Sequence, residues 1–238
     1  MVADRIAKQQ LNVIILVDTS KSMQGKRIAQ VNEALRDVRE HLSKMQDENT
    51  NVSFAITVIP FSNTAYFLNG DAACEVENFK FTDLKGGGWS NLHLAYSKLA
   101  GILKKESKGG IMPDFGGIAP IILLMTDGHP TKYPLNKELE ELKALPWFRV
   151  ALKYGIAISL NDSRTRKVLE DFVDGTGDVI DCFDTSVLKK IIKVVVLTAS
   201  KVKSTTTGVN AAKPMNKNEQ IVQEVKVALE EVDWDWND

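Results

Sequence analysis

Leu11-Asn-Val-Ile-Ile-Leu-Val17 runs without interruption into Asp18-Thr-Ser-Lys-Ser22 and Met23. The first seven residues are almost wholly apolar and rich in β-branched side chains. That is the pattern of a strand buried on both faces of a parallel sheet. Behind the polar turn, residues 25–45 space Ile28, Val31, Leu35, Val38 and Leu42 three or four apart, which predicts a long amphipathic helix. Strand, turn and helix in this order form the first unit of an α/β fold.

The same alternation continues outward. Residues 52–59 predict a second strand closed by Pro60, and residues 63–68 a short edge strand returning antiparallel. Residues 69–89 are irregular and end in Gly86-Gly-Gly88, after which residues 91–103 are helical. Residues 118–126 predict a fully buried strand, followed by the turn Asp127-Gly-His-Pro-Thr131. A helix over 135–150 must break or kink at Pro146. A strand over 153–160, a helix over 164–173, a strand over 179–183 and a helix over 186–203 complete the series. The fold class is therefore α/β, doubly wound, with a mostly parallel sheet, one antiparallel edge strand and helices on both faces.

Past residue 203 the character changes. Residues 1–203 read as one domain and 204–218 as a polar linker. Residues 219–238 read as an acidic amphipathic helix and tail carrying Trp234 and Trp236. The tail holds seven acids and one lysine, a net of −6 in a chain whose total is −1, so the body carries +5. The tail reads as a docked final helix, as a pair of tryptophan anchors for a partner, or as a source of carboxylates such as Asp235 or Asp238 for another copy.

The 238 residues, 44% apolar and 26% charged, have the composition of an ordinary globular protein. A chain of this length buries about 70% of its unfolded surface and needs no disulfide framework. Cys74 and Cys182 form no metal spacing, which favours a reducing compartment. The near-zero net charge argues against nucleic acid as the partner. The first ten residues lack a signal-peptide core, and the longest apolar runs fall far short of the ~18 residues of a membrane span. The expectation is a soluble cytoplasmic protein with no membrane partner.

Ligand crevices of parallel α/β sheets lie at the carboxyl ends of the strands. Asp18, Ser20 and Ser22 fall there, at alternate positions of one loop. Thr126-Asp127-Gly128 follows a second buried strand at the same edge, and Ser90-Asn91 follows the glycine run. Two carboxylates and several hydroxyls, with no cysteine or histidine at matching positions, suit a hard cation such as Mg²⁺ or Mn²⁺. The bland alternative for the first loop is a helix N-cap.

These residues together resemble a von Willebrand factor type A domain: the Asp-x-Ser-x-Ser loop after a buried strand, a glycine-rich turn leading to a hydroxyl residue, and a later strand ending Thr-Asp-Gly-x-Pro-Thr. The resemblance covers roughly residues 11–203. It implies a metal-ion-dependent adhesion site made of Asp18, Ser20, Ser22, Ser90 and Asp127, with an Asp or Glu of a partner protein filling the open position. It also implies direct binding by Ser20 and Ser22, with Asp18 and Asp127 acting partly through water. Ser90 stands where the family usually has Thr; a register one residue earlier puts Trp89 there and removes a ligand. Lys21 replaces a commoner glycine. The form Leu-Val-Asp-Thr-Ser-Lys-Ser-Met is similar to bacterial proteins associated with tellurium resistance, which are encoded beside a kinase and a phosphatase. Such a protein would be a non-catalytic interaction module in a stress-response or signalling complex.

The runner-up is a Mg²⁺-dependent phosphohydrolase using Asp18 and Asp127. Other chemistries fail on residues. Gly25-Lys26 lacks the glycine five positions earlier that a phosphate loop needs, with Ser20 in its place. Position 20 is not the second aspartate of an Asp-x-Asp phosphatase, and no Gly-x-Ser-x-Gly elbow exists. His93 and His129 read as polar rim residues and His41 as surface.

Overall fold

A computed structural model describes residues 9–48, 52–132, 134–158 and 163–182, together with position 227. Its framework is a six-stranded sheet in the order β3-β2-β1-β4-β5-β6. The strands are β1 (Gln9–Asp18), β2 (Val52–Phe61), β3 (Cys74–Glu75), β4 (Ile121–Thr126), β5 (Leu152–Ile158) and β6 (Gly177–Cys182). Every pairing is parallel except β2 with β3. The helices are α1 (Lys26–Glu48), α2 (Leu92–Ile102), α3 (Asn136–Lys143), α4 (Pro146–Val150) and α5 (Ser163–Val173).

The central strand divides its side chains between two cores, as a period of two requires. Leu11, Val13, Ile15 and Val17 join Ile28, Val31, Leu35, Val38 and Leu42 of α1 on one face. Ile14 and Leu16 join residues of α2, α4 and α5 on the other. Neighbouring β4 splits in the same way, Leu123 to the first core and Leu124 to the second. Burial on both faces explains why residues 13–17 of β1 and 121–125 of β4 read as apolar runs.

Two expectations are corrected in detail, and the break expected at Pro146 is present. Pro60 does not close the second strand, which continues to Phe61. The Pro60 carbonyl accepts from Tyr66 N at 3.4 Å, so this residue's polar backbone faces the sheet edge and not β1. A missing N–H on that side costs no ladder bond with β1. The antiparallel edge strand is Cys74–Glu75, paired with Ala55 and Ile56; residues 63–68 run back beside β2 through an isolated bridge from Phe61 to Ala65 and the bonds Tyr66 N to Pro60 O and Leu68 N to Val58 O, without forming a strand. The helix expected over 135–150 is two, and Pro146 opens the second from its first turn, where a missing N–H is harmless. The helix read over 186–203 and the linker and tail beyond it lie outside the described residues, apart from the exposed Val227.

Among the described residues no helix is long and apolar enough to cross a membrane. Cys74 is a free, half-buried thiol.

Candidate metal centre

Asp18 is the last residue of β1, and Asp127 comes directly after β4, the strand beside it. Adjacency of β1 and β4 therefore brings two carboxylates to one edge although 109 positions separate them in sequence. Chain reversal after β1 is fixed by Thr19, whose N and Oγ1 both donate to the Phe61 carbonyl at 2.8 and 3.0 Å. The glycine run closes the third side. Gly87 N donates to Thr19 O at 2.8 Å, and Lys21 N donates to Gly88 O at 3.0 Å. A side chain at Gly86 would meet the backbone of Gln24 at 2.8 Å, so only glycine permits this approach.

The five expected side chains converge. Asp18 is wholly buried; its Oδ1 accepts from Ser20 N at 2.8 Å, and its Oδ2 accepts from Ser90 Oγ at 2.8 Å and Thr126 Oγ1 at 2.7 Å. Ser20 Oγ lies 3.0 Å from Ser22 Oγ, and Ser22 Oγ donates to Asp127 Oδ1 at 2.7 Å. Burial pushes the Asp18 carboxyl above its ordinary range, against the opposing pull of Thr126, Ser20 and Ser90. A buried carboxylate so disposed is one that a nearby cation would hold ionised.

Ser90 is 8% exposed and its hydroxyl donates to Asp18, whereas Trp89 is 68% exposed. Gly88, at φ +84°, makes that turn, and Asn63 Oδ1 accepts from Trp89 N at 2.8 Å. Lys21 is exposed and forms no ion pair with either carboxylate.

Two participants lie outside the expected set. Thr126 donates directly to Asp18, and its place at the end of a buried strand was the available signal. Arg27, the second residue of α1, pairs with Asp127 Oδ2, and its Nη1 also donates to Ser22 O at 3.1 Å. A basic residue in a helix's first turn gives no such signal. His129 Nδ1 lies 3.2 Å from Thr165 Oγ1, a contact away from the carboxylates.

Adjacent vertices of an octahedron with bonds of about 2.1 Å are about 3.0 Å apart, the separation of the two serine hydroxyls. All donors are oxygens, and among the described residues no group of three or more His, Cys, Asp and Glu competes as a metal cage. The residues fit a hard cation.

Comparison with known proteins agrees with this architecture. The curated relatives include inter-alpha-trypsin inhibitor heavy chain H4 of Bos taurus, 28% identical over 145 residues, and heavy chain H1 of Sus scrofa, 31% identical over 134. These alignments cover 60% and 53% of this chain but only 15% and 14% of the relatives. Among solved structures, the vWF domain of the type V pili tip protein Mfa5 from Porphyromonas gingivalis matches with a TM-score of 0.58 at 11% identity. That match covers 87% of this chain and all of the other. Proximal thread matrix protein 1 of the mussel byssus, solved with a zinc-occupied MIDAS motif, matches at 0.53 and 20% identity, over 81% of this chain and 48% of its own. These likenesses are of fold. The profile of the von Willebrand factor type A domain matches residues 12–224, and the chain belongs to that family.

Proposed function

We propose that this chain is a non-catalytic, metal-dependent protein-interaction module. Asp18, Ser20, Ser22, Ser90 and Asp127 take up Mg²⁺ or Mn²⁺, and an Asp or Glu of a partner protein completes the shell. The arc of oxygens from Ser20 through Ser22 to Asp127, closed by buried Asp18, carries this reading. A bound cation supplies the positive charge that captures the partner's carboxylate. The chain's own residues hold the loop rigid and leave one face open. Family membership supports the reading, as does the zinc-occupied motif of the mussel protein.

The likeness of residues 16–23 to tellurium-resistance proteins supports a bacterial stress-response setting with a kinase or phosphatase as partner, and the net charge of −1 argues against nucleic acid. No observation favours the phosphohydrolase reading. Asp18 and Asp127 are both held by hydrogen bonds, and turnover of a phosphate ester with Mg²⁺ by the native protein is the result that would favour that reading.

Thermal unfolding tests the proposal. At a metal concentration about 100 times Kd, a ligand bound only by the native state adds about 2.7 kcal/mol. That corresponds to a Tm rise of roughly 5–10 °C for a domain of this size. Mg²⁺ or Mn²⁺ should produce this rise in the native protein and not in Asp18→Ala or Ser20→Ala. The serine variant sits in the loop, so its fold survives if the aspartate variant's does not. No rise in the native protein overturns the reading.

A further inference from the structure

We infer that Arg27 sets the charge of the metal centre, weakening its hold on the cation and strengthening its hold on the partner's anion. The inference rests on the proposed metal reading. Arg27 belongs to the centre by contact: its guanidinium pairs with Asp127 Oδ2 and donates to Ser22 O at 3.1 Å. Its carboxylate partner is fully buried at the side chain, while Arg27 itself is 37% exposed, so its charge lies between Asp127 and solvent. Among the described residues no other cationic side chain pairs with Asp18 or Asp127.

The charge balance follows. Asp18 and Asp127 alone would neutralise a divalent cation, so a partner's carboxylate would take the centre to −1. With Arg27 included, the loaded centre carries +1, and one carboxylate of the partner brings it to neutrality. Like charges in a partly buried site repel, so the same guanidinium opposes entry of the metal. The centre gives up cation affinity and gains selectivity for an anionic ligand. A purely structural role, tying α1 to the turn after β4, predicts the opposite sign: loss of Arg27 would loosen Asp127 and weaken metal binding.

Calorimetric titration of Mg²⁺ into metal-free native protein, Arg27→Met, Arg27→Lys and Asp18→Ala decides between them. Arg27→Met should bind Mg²⁺ roughly tenfold more tightly than native protein, whereas Arg27→Lys, which keeps the charge, should stay near the native value. Acetate, the smallest carboxylate probe, should tighten Mg²⁺ binding in native protein and do so less in Arg27→Met, because the two ligands are linked. Equal or weaker Mg²⁺ binding by Arg27→Met, or an equal acetate effect in both proteins, overturns the inference while leaving the metal site standing. If Arg27→Met fails to fold, an Arg27→Lys variant with tenfold altered affinity overturns it equally. A flat titration in native protein, matching Asp18→Ala, overturns the metal reading itself and this inference with it.

Discussion

Ser90 and Trp89 are neighbours in the chain and opposites in environment. One hydroxyl is buried on a carboxylate, and one indole faces solvent. Ser90→Ala deletes a donor to a buried acid, and changes of this kind beside a metal ligand typically cost about 10–100-fold in metal affinity. Titration of Mn²⁺ should show such a loss for Ser90→Ala, near-native affinity for Ser90→Thr and no change for Trp89→Ala. Unchanged Mn²⁺ affinity in Ser90→Ala would put the register one residue earlier, where Trp89 supplies no ligand. The five oxygen-bearing residues were legible in sequence because each follows an apolar strand or a glycine run. Arg27 was not, since its partner lies 100 positions away and no local pattern points to it.

At the level of elements, strands and helices with a sustained period were readable, and those without one were not. Residues 13–17 of β1 and 121–125 of β4 declare themselves by apolar runs. A two-residue strand such as β3 has no period to detect; it exists because Ala55 and Ile56 of β2 offer it partners. Packing of α5 on β5 depends on Gly155, where an added Cβ would meet Leu169 Cβ at 2.8 Å. Gly155→Ala therefore overpacks this contact and should cost about 1–3 kcal/mol in urea unfolding. Leu169→Ala alone leaves a cavity and should cost about 2–5 kcal/mol. Leu169→Ala removes Cδ2 and Cγ, which the added Cβ would meet at 3.2 and 3.3 Å, and leaves room for the helix to shift, so the double variant should lose measurably less than the sum of the two. Additive losses would mean that α5 shifts freely.

For the molecule as a whole, Lys153 is the costly residue. It lies wholly buried in β5, its Nζ donates to Phe148 O at 2.9 Å, and it sits 4.3 Å from the Phe148 ring centre. Burial lowers its pKa from 10.5 to about 8, with Asp174 opposing the shift and Lys143 adding to it. Between about pH 8 and 10.5 the unfolded chain thus holds a proton that the native state has lost, so stability from this group rises with pH across that window. Urea midpoints should show native protein gaining on Lys153→Met from pH 7 to 11, by an amount of the order of 2 kcal/mol. Parallel pH profiles would show that the ammonium is solvated in the native state. Sequence alone determined the layered α/β class and placed oxygen-bearing residues directly after β1, β4 and the glycine run. Both are written in short-range order, as apolar runs, helical spacing and a serine-rich turn. Tertiary structure alone decided that Ser90 meets Asp18, that Arg27 caps Asp127, and that Cys74–Glu75 forms the edge. Those outcomes depend on which distant segments the sheet order makes neighbours, and proximity across the fold leaves no mark on the local sequence.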